Sequence, residues 1–141
     1  TANIPEVVRP EGDGSILLRA ETARAMGPDI KYMPEWKAFG WFSEADRTEW
    51  DVEVKSKGKF DVYVDWSVSD DSAGKPIVVE AGTQRVNWTV GTTGSWFTYR
   101  LENIGSLRLS AGSNKVVFKA SPQSKKGALL DLRTIRLVPV K

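Results

Sequence analysis

The residues able to do chemistry in this 141-residue chain are 18 carboxylates, 20 Lys and Arg side chains and six tryptophans; histidine and cysteine are both absent. Without Cys there are no disulfides, thiolate metal sites, iron–sulfur ligands or cysteine nucleophiles. Without His the Ser-His-Asp triad, the usual zinc ligands and the commonest general base are missing. Any reaction would fall to carboxylates, Lys, Tyr, Ser or Thr, and this composition leans away from an enzyme. One spacing does match a reaction. Glu49, Asp51 and Glu53 alternate, and on a strand such neighbours stand ~7 Å apart, within reach of the carboxylate separation of an inverting glycosidase. An acidic comb on one strand is far more often a solvated face.

Other motifs carry less. Ser69–Lys75, read as SDDSAGK, lacks the alternating oxygen ligands and terminal Glu of an EF-hand loop. GDGS at Gly12–Ser15 has no strand–helix setting for a phosphate. Asn87-Trp88-Thr89 satisfies the N-glycosylation sequon but falls inside an expected strand. The formal charge of +2 is spread thinly, with Lys55, Lys57, Lys59 and the Lys125-Lys126 pair as the densest points. Nucleic-acid modules concentrate charge far more, so no nucleic-acid partner is expected. No apolar run approaches the ~20 residues that cross a bilayer, so no membrane insertion is expected either.

The elements that must position these residues follow a period of two. In TEWDVEV, Thr48, Trp50, Val52 and Val54 share one face, and Glu49, Asp51 and Glu53 the other. After KSKGK the alternation resumes with Phe60, Val62, Val64, Trp66 and Val68 inward and Asp61, Tyr63 and Asp65 outward. That is the pattern of two half-buried strands joined as a hairpin. Further strands are expected at Ser15–Ala20, Ile77–Ala81, Gln84–Val90, Trp96–Asn103, Leu107–Leu109, Asn114–Ala120 and Leu129–Val138. The turn at Gly82-Thr83 is tight. Thr22–Phe39 reads as a long loop with short ordered pieces. Many short strands with glycine turns give an all-β fold, an antiparallel β-sandwich or jelly roll. Residues 1–14 form a lead-in segment and residues 15–139 one sandwich domain. The chain opens on Thr1 without an initiator methionine, which reads as a processed or excised piece.

A series of short motifs in fixed order gives this chain a family likeness. It runs Ala20-Glu21, Gly40-Trp41-Phe42, Gly58–Val62, Thr93–Trp96, Ala111-Gly112 and Leu129–Leu132. The series resembles the family 6 and family 35 carbohydrate-binding modules, with their galactose-binding-like β-sandwich. The resemblance implies a sugar gripped between two aromatic rings at the loop end, at positions matching Trp41 and Trp96. Indole offers a wide flat apolar face to sugar C–H groups. Trp36 and Tyr32 in the long loop could join that site, with Glu44, Asp46 and Arg47 as polar partners. The outward face bearing Tyr63, Asp61 and Asp65 is the other place for it. Trp50, Trp66 and Trp88 alternate with apolar residues and read as core.

The resemblance also implies a structural calcium held by Glu21 and Asp131, although no cofactor is required for binding. Here Arg19 stands where an oxygen ligand often sits, so its guanidinium is expected to replace the ion by bridging Glu21 and Asp131. A further departure is Leu129-Leu130, where the family presents an Asn. The leading expectation is a non-catalytic module that binds a polysaccharide or oligosaccharide. It would be covalently linked to other domains of a secreted or cell-surface, polysaccharide-acting protein. The alternative is a structural or protein-interaction sandwich that has lost its sugar site, which would bury Trp96.

Overall fold

The expected alternation resolves into two antiparallel sheets in a computed structural model that describes residues 2–141; Thr1, the first residue of the lead-in segment, lies outside the described residues. The strands are β1 (Ile16–Arg19), β2 (Arg24–Met26), β3 (Lys31–Met33), β4 (Ala38–Ser43), β5 (Arg47–Val54), β6 (Gly58–Ser67), β7 (Pro76–Ala81), β8 (Gln84–Thr89), β9 (Arg100–Leu109), β10 (Gly112–Ala120) and β11 (Ala128–Pro139), with a 3-10 turn, η1, at Ala20–Thr22. One sheet runs β3-β4-β11-β6-β9, and β1 also pairs with β11. The other runs β2-β5-β10-β7-β8. The two pack face to face as a β-sandwich.

The period-two faces decide which side chains meet between the sheets. Trp50, Val52 and Val54 of β5, Val62, Val64 and Trp66 of β6, Val116 and Phe118 of β10, and Leu130, Leu132, Ile135 and Leu137 of β11 are all buried in one core. Each buried aromatic removes about 150–250 Å² from water. The indole N–H groups are not left bare: Trp50 donates to the Arg19 carbonyl at 2.8 Å and Trp66 to the Gly91 carbonyl at 2.9 Å. Trp88 is half-buried and sets its ring edge-on to Trp66, 4.8 Å between centroids.

Four places differ from the sequence expectation, the first being β4, a six-residue strand where none was expected. Leu107–Leu109 and the end of Trp96–Asn103 are one strand, β9, bent where Gly105 and Asn103 flank an irregularity against β6. Residues 96–99 lie outside any strand. The acidic comb is not a uniformly solvated face: Glu49 is only 5% exposed, ringed by Arg24, Arg47 and Lys115 at 3.1–3.5 Å. Arg24 also forks onto Asp51 at 2.5 and 2.9 Å, which holds the Asp51 carboxyl below its usual range. These carboxylates are committed to ion pairs.

The segment before β1 lies along β5. The Val8 N–H donates to the Asp51 carbonyl at 2.8 Å, and the Glu53 N–H donates to Val8 at 3.0 Å. Together with β2, which pairs Arg47–Glu49, this covers the β5 edge that would otherwise be open to pairing.

Candidate functional site

Two β-bulges on neighbouring strands of the β3-β4-β11-β6-β9 sheet aim side chains outward at one place. On β4, Phe42 pairs with Leu130 and Phe39 with Leu132, so Gly40 and Trp41 together oppose the single residue Asp131. The extra residue pushes Trp41 into the left-handed region, at φ 56°, with its ring 70% exposed. A bulky residue rarely adopts that conformation, which costs about 1–2 kcal/mol. Strain of this kind persists where surrounding structure imposes it and gathers at binding sites. Gly40 beside it allows a close approach: a Cβ there would meet the Met33 sulfur at 2.6 Å and Asp131 Oδ1 at 3.3 Å.

The second bulge is on β11. Leu132 pairs with Trp66 and Thr134 with Asp65, leaving Arg133 as the extra residue. Its guanidinium forks onto Asp65, Nε to Oδ2 at 2.8 Å and Nη2 to Oδ1 at 3.2 Å. The same group lies 3.9 Å from the centre of the Tyr99 ring.

Asp131 forms the floor between these bulges. Its strand neighbours Leu130 and Leu132 are fully buried, so period-two geometry turns its carboxyl to the outer face. There it makes no hydrogen bond or ion pair among the described residues, and burial pushes its pKa up to about 7. Tyr99 stands near enough to feel its charge, and burial raises the phenol as well. The Tyr99 hydroxyl is buried without a partner of good geometry. Ser67 lies beside it, but donates its own hydroxyl to the Trp96 carbonyl at 2.9 Å.

The loop between β8 and β9 brings a second group of rings to this sheet. Thr93 ties it to the sheet, its N–H donating to the Val68 carbonyl at 3.1 Å and its hydroxyl accepting from the Val68 N–H at 3.0 Å. Beyond that anchor Phe97 is 72% exposed. Trp36, in the turn of the β3–β4 hairpin, leans on Phe97 at 5.8 Å and stacks on Tyr99 at 6.1 Å and 29°. Lys31 places its ammonium 5.8 Å from the Trp41 ring.

Trp41 and Trp36 of the expected set are thus carried on the same sheet as Asp131. Trp96 is half-buried and packs against the core, so it anchors the loop while Phe97 presents the open ring. Tyr32 packs edge-on against Phe39 at 6.0 Å, with its hydroxyl buried and unpartnered. Glu44 lies in the β4–β5 turn without a hydrogen bond or ion pair among the described residues. Asp46 is buried and accepts from the Asp29 and Ser43 N–H groups at 3.1 and 2.9 Å, so it holds the turn. Sequence reasoning missed Phe97, Tyr99 and Arg133 as site residues. Phe97 and Tyr99 directly follow the Thr93–Trp96 motif, whereas nothing local marks Arg133.

The expected Arg19 bridge does not form. Arg19 reaches Glu21 at 3.8 Å and makes no contact with Asp131, because Arg19 pairs with Thr134 on β1–β11. Glu21 and Asp131 belong to no cluster of acidic side chains among the described residues. Among the described residues no group of three or more Asp, Glu, His or Cys side chains could hold a metal, while Ca²⁺ takes six to eight oxygens.

No family model matches the chain, and neither does any curated protein. Solved structures do. A family 35 carbohydrate-binding module from Clostridium thermocellum superposes with a TM-score of 0.69 at 14% identity, covering 89% of this chain and 98% of that one. A GH26-CBM35 β-(1,4)-mannanase from Podospora anserina gives 0.65 at 16% identity, over 92% of this chain and 28% of that one. The mosquito-larvicidal Cry4Aa toxin from Bacillus thuringiensis gives 0.71 at 9% identity, over 97% of this chain and 25% of that one. The chain has the fold of the family 35 carbohydrate-binding modules. At these identities the likeness concerns the fold, and a fold hosts many functions.

Proposed function

We propose that this chain is a non-catalytic carbohydrate-binding module whose sugar lies on the outer face between Trp41 and the Phe97–Trp36 wall, over Asp131. The observation that carries the reading is Trp41: a large ring held in a strained backbone conformation at a bulge, mostly exposed, opposite a carboxyl with no partner. Flat rings take the C–H faces of a pyranose, and the unpartnered Asp131 carboxyl offers a hydrogen bond to its edge. The place lies where the sheet face meets the loop end, so it draws on both locations left open by the sequence. Trp36 belongs to it, Trp96 and Tyr32 pack beneath it, and Glu44 takes no part.

The module would tether a larger, secreted, polysaccharide-acting protein to its glycan. This is supported by the mannanase, in which the matched part is 28% of the chain. Binding requires no cofactor in this reading. Affinity electrophoresis against mannan, galactan, xylan and glucan tests it: the parent is retarded by at least one, and Trp41→Ala and Phe97→Ala lose the retardation. Equal retardation of parent and both variants would place the site elsewhere. No retardation by any of a wide glycan panel would favour the protein-interaction alternative, which the half-buried Trp96 already fits.

A further inference from the structure

The outer wall is made of loop residues, yet it is tied to the middle of the sheet by a chain of contacts that begins at a single ion pair. Asp65 on β6 fixes the Arg133 fork at 2.8 and 3.2 Å. Arg133 covers Tyr99 at 3.9 Å, Trp36 stacks on Tyr99 at 6.1 Å, and Trp36 meets Phe97 at 5.8 Å. These contacts join three separate parts of the chain: the β6–β11 pair, the β8–β9 loop and the turn of the β3–β4 hairpin. The bulge that makes Arg133 an unpaired extra residue lets it reach across to this ring.

We propose that Arg133 is a positioning residue that holds Tyr99, Trp36 and Phe97 in their ligand-ready arrangement before any ligand arrives. A ring that must be immobilised on binding weakens the complex, and a ring already immobilised does not. Arg suits this task where Lys does not. Its planar fork holds both Asp65 oxygens while its flat face lies on the Tyr99 ring, and an ammonium on a flexible stem does neither. Arg133 itself need not touch the sugar. Asp65 acts through Arg133, so the two form one device and their effects should not add.

The affinity part of this inference rests on the carbohydrate-binding reading, and the test keeps the two apart. Parent, Arg133→Met, Arg133→Lys, Asp65→Asn and the Arg133→Met/Asp65→Asn double variant are measured by affinity electrophoresis against the same polysaccharides. Each is also measured for thermal melting and for acrylamide quenching of tryptophan. A Trp36→Phe background subtracts all other indoles, so the difference reports Trp36 alone. Losing the order of the two rings that face the ligand, Trp36 and Phe97, is expected to weaken binding about tenfold in Arg133→Met. The same loss is expected in Asp65→Asn and in the double variant, and Arg133→Lys does not rescue it. Quenching of Trp36 rises in each, while melting changes little. A purely structural Arg133 would instead lower the melting temperature and leave the affinity of the folded protein unchanged, which would overturn the proposal. Parent-like affinity and Trp36 quenching in Arg133→Met and Asp65→Asn would overturn it too. If no polysaccharide retards the parent, the binding reading fails, and quenching of Trp36 still decides whether Arg133 holds the rings.

Discussion

Replacing Trp41 with glycine should remove function without lowering stability, whereas alanine should lower both, and the choice of replacement separates the causes. At φ 56° any residue with a Cβ pays the left-handed cost, about 1–2 kcal/mol. Glycine escapes it, but loosens the unfolded chain by about 0.4–1 kcal/mol relative to alanine. The difference predicts Trp41→Gly to be about 1 kcal/mol more stable than Trp41→Ala. Both lose the ring, but little stability goes with it. The ring is 70% exposed, and its main partner is Lys31 at 5.8 Å, a contact of about 0.5 kcal/mol at an exposed site. Trp41→Ala should therefore fall slightly below the parent, and Trp41→Gly at or slightly above it. Urea unfolding followed by fluorescence of the remaining tryptophans measures this through the midpoint at an unchanged slope. In a thermal melt the glycine variant should exceed the alanine variant by about 3 °C. If Trp41→Gly is no more stable than Trp41→Ala, the bulge imposes no strain and the argument from Trp41 to a binding site is lost.

Asp131 predicts a pH dependence of opposite sign to ordinary acid denaturation. Its folded pKa of about 7 exceeds the unfolded value of 3.8, so its contribution is complete below about pH 4 and is lost as pH rises through about 7. Solvent reaches the carboxyl, which leaves a loss of about 1–2 kcal/mol rather than the ~4 kcal/mol of a sealed site. Asp131→Asn should therefore gain on the parent between pH 5 and 8 in urea titrations, and a constant difference would count against the burial. The neighbouring loop residues should divide by role: Phe97→Ala keeps the parent's melting temperature but weakens glycan retardation, whereas Trp96→Ala lowers melting because its ring packs on the core. Glu49→Ala, which leaves Arg24, Arg47 and Lys115 facing one another, should cost about 1–3 kcal/mol by denaturant unfolding. Adding Ca²⁺ to chelated protein should leave the melting temperature unchanged; a saturable rise would mean that Glu21 and Asp131 rearrange around an ion.

Much of the framework could be read from the chain alone because its cause is local. Alternation along Thr48–Val54 and Phe60–Val68 is a property of consecutive residues, and a strand has only two faces to give them. Trp50 and Trp66 could accordingly be assigned to the core, and the absence of His and Cys narrowed the chemistry before any fold was known. The motif order pointed to the family 35 type of sandwich, whose fold the chain has.

The site was decided elsewhere. Trp41 sits in a six-residue strand that the sequence left at the end of a long loop, and its exposure comes from a bulge. A bulge is a mismatch between two strands, here Phe39–Phe42 against Leu130–Leu132, some ninety positions apart, so neither segment reveals it by itself. The same holds for Arg133, which is extra only relative to Trp66 and Asp65. Phe97 and Trp96 are adjacent, and nothing in their order says which ring faces the core; the path of the loop over Val68 chooses. Composition and period therefore determined a sandwich rich in aromatic rings and poor in reactive groups. Only the pairing of distant strands determined which of those rings, and which carboxyl, meet at one open face.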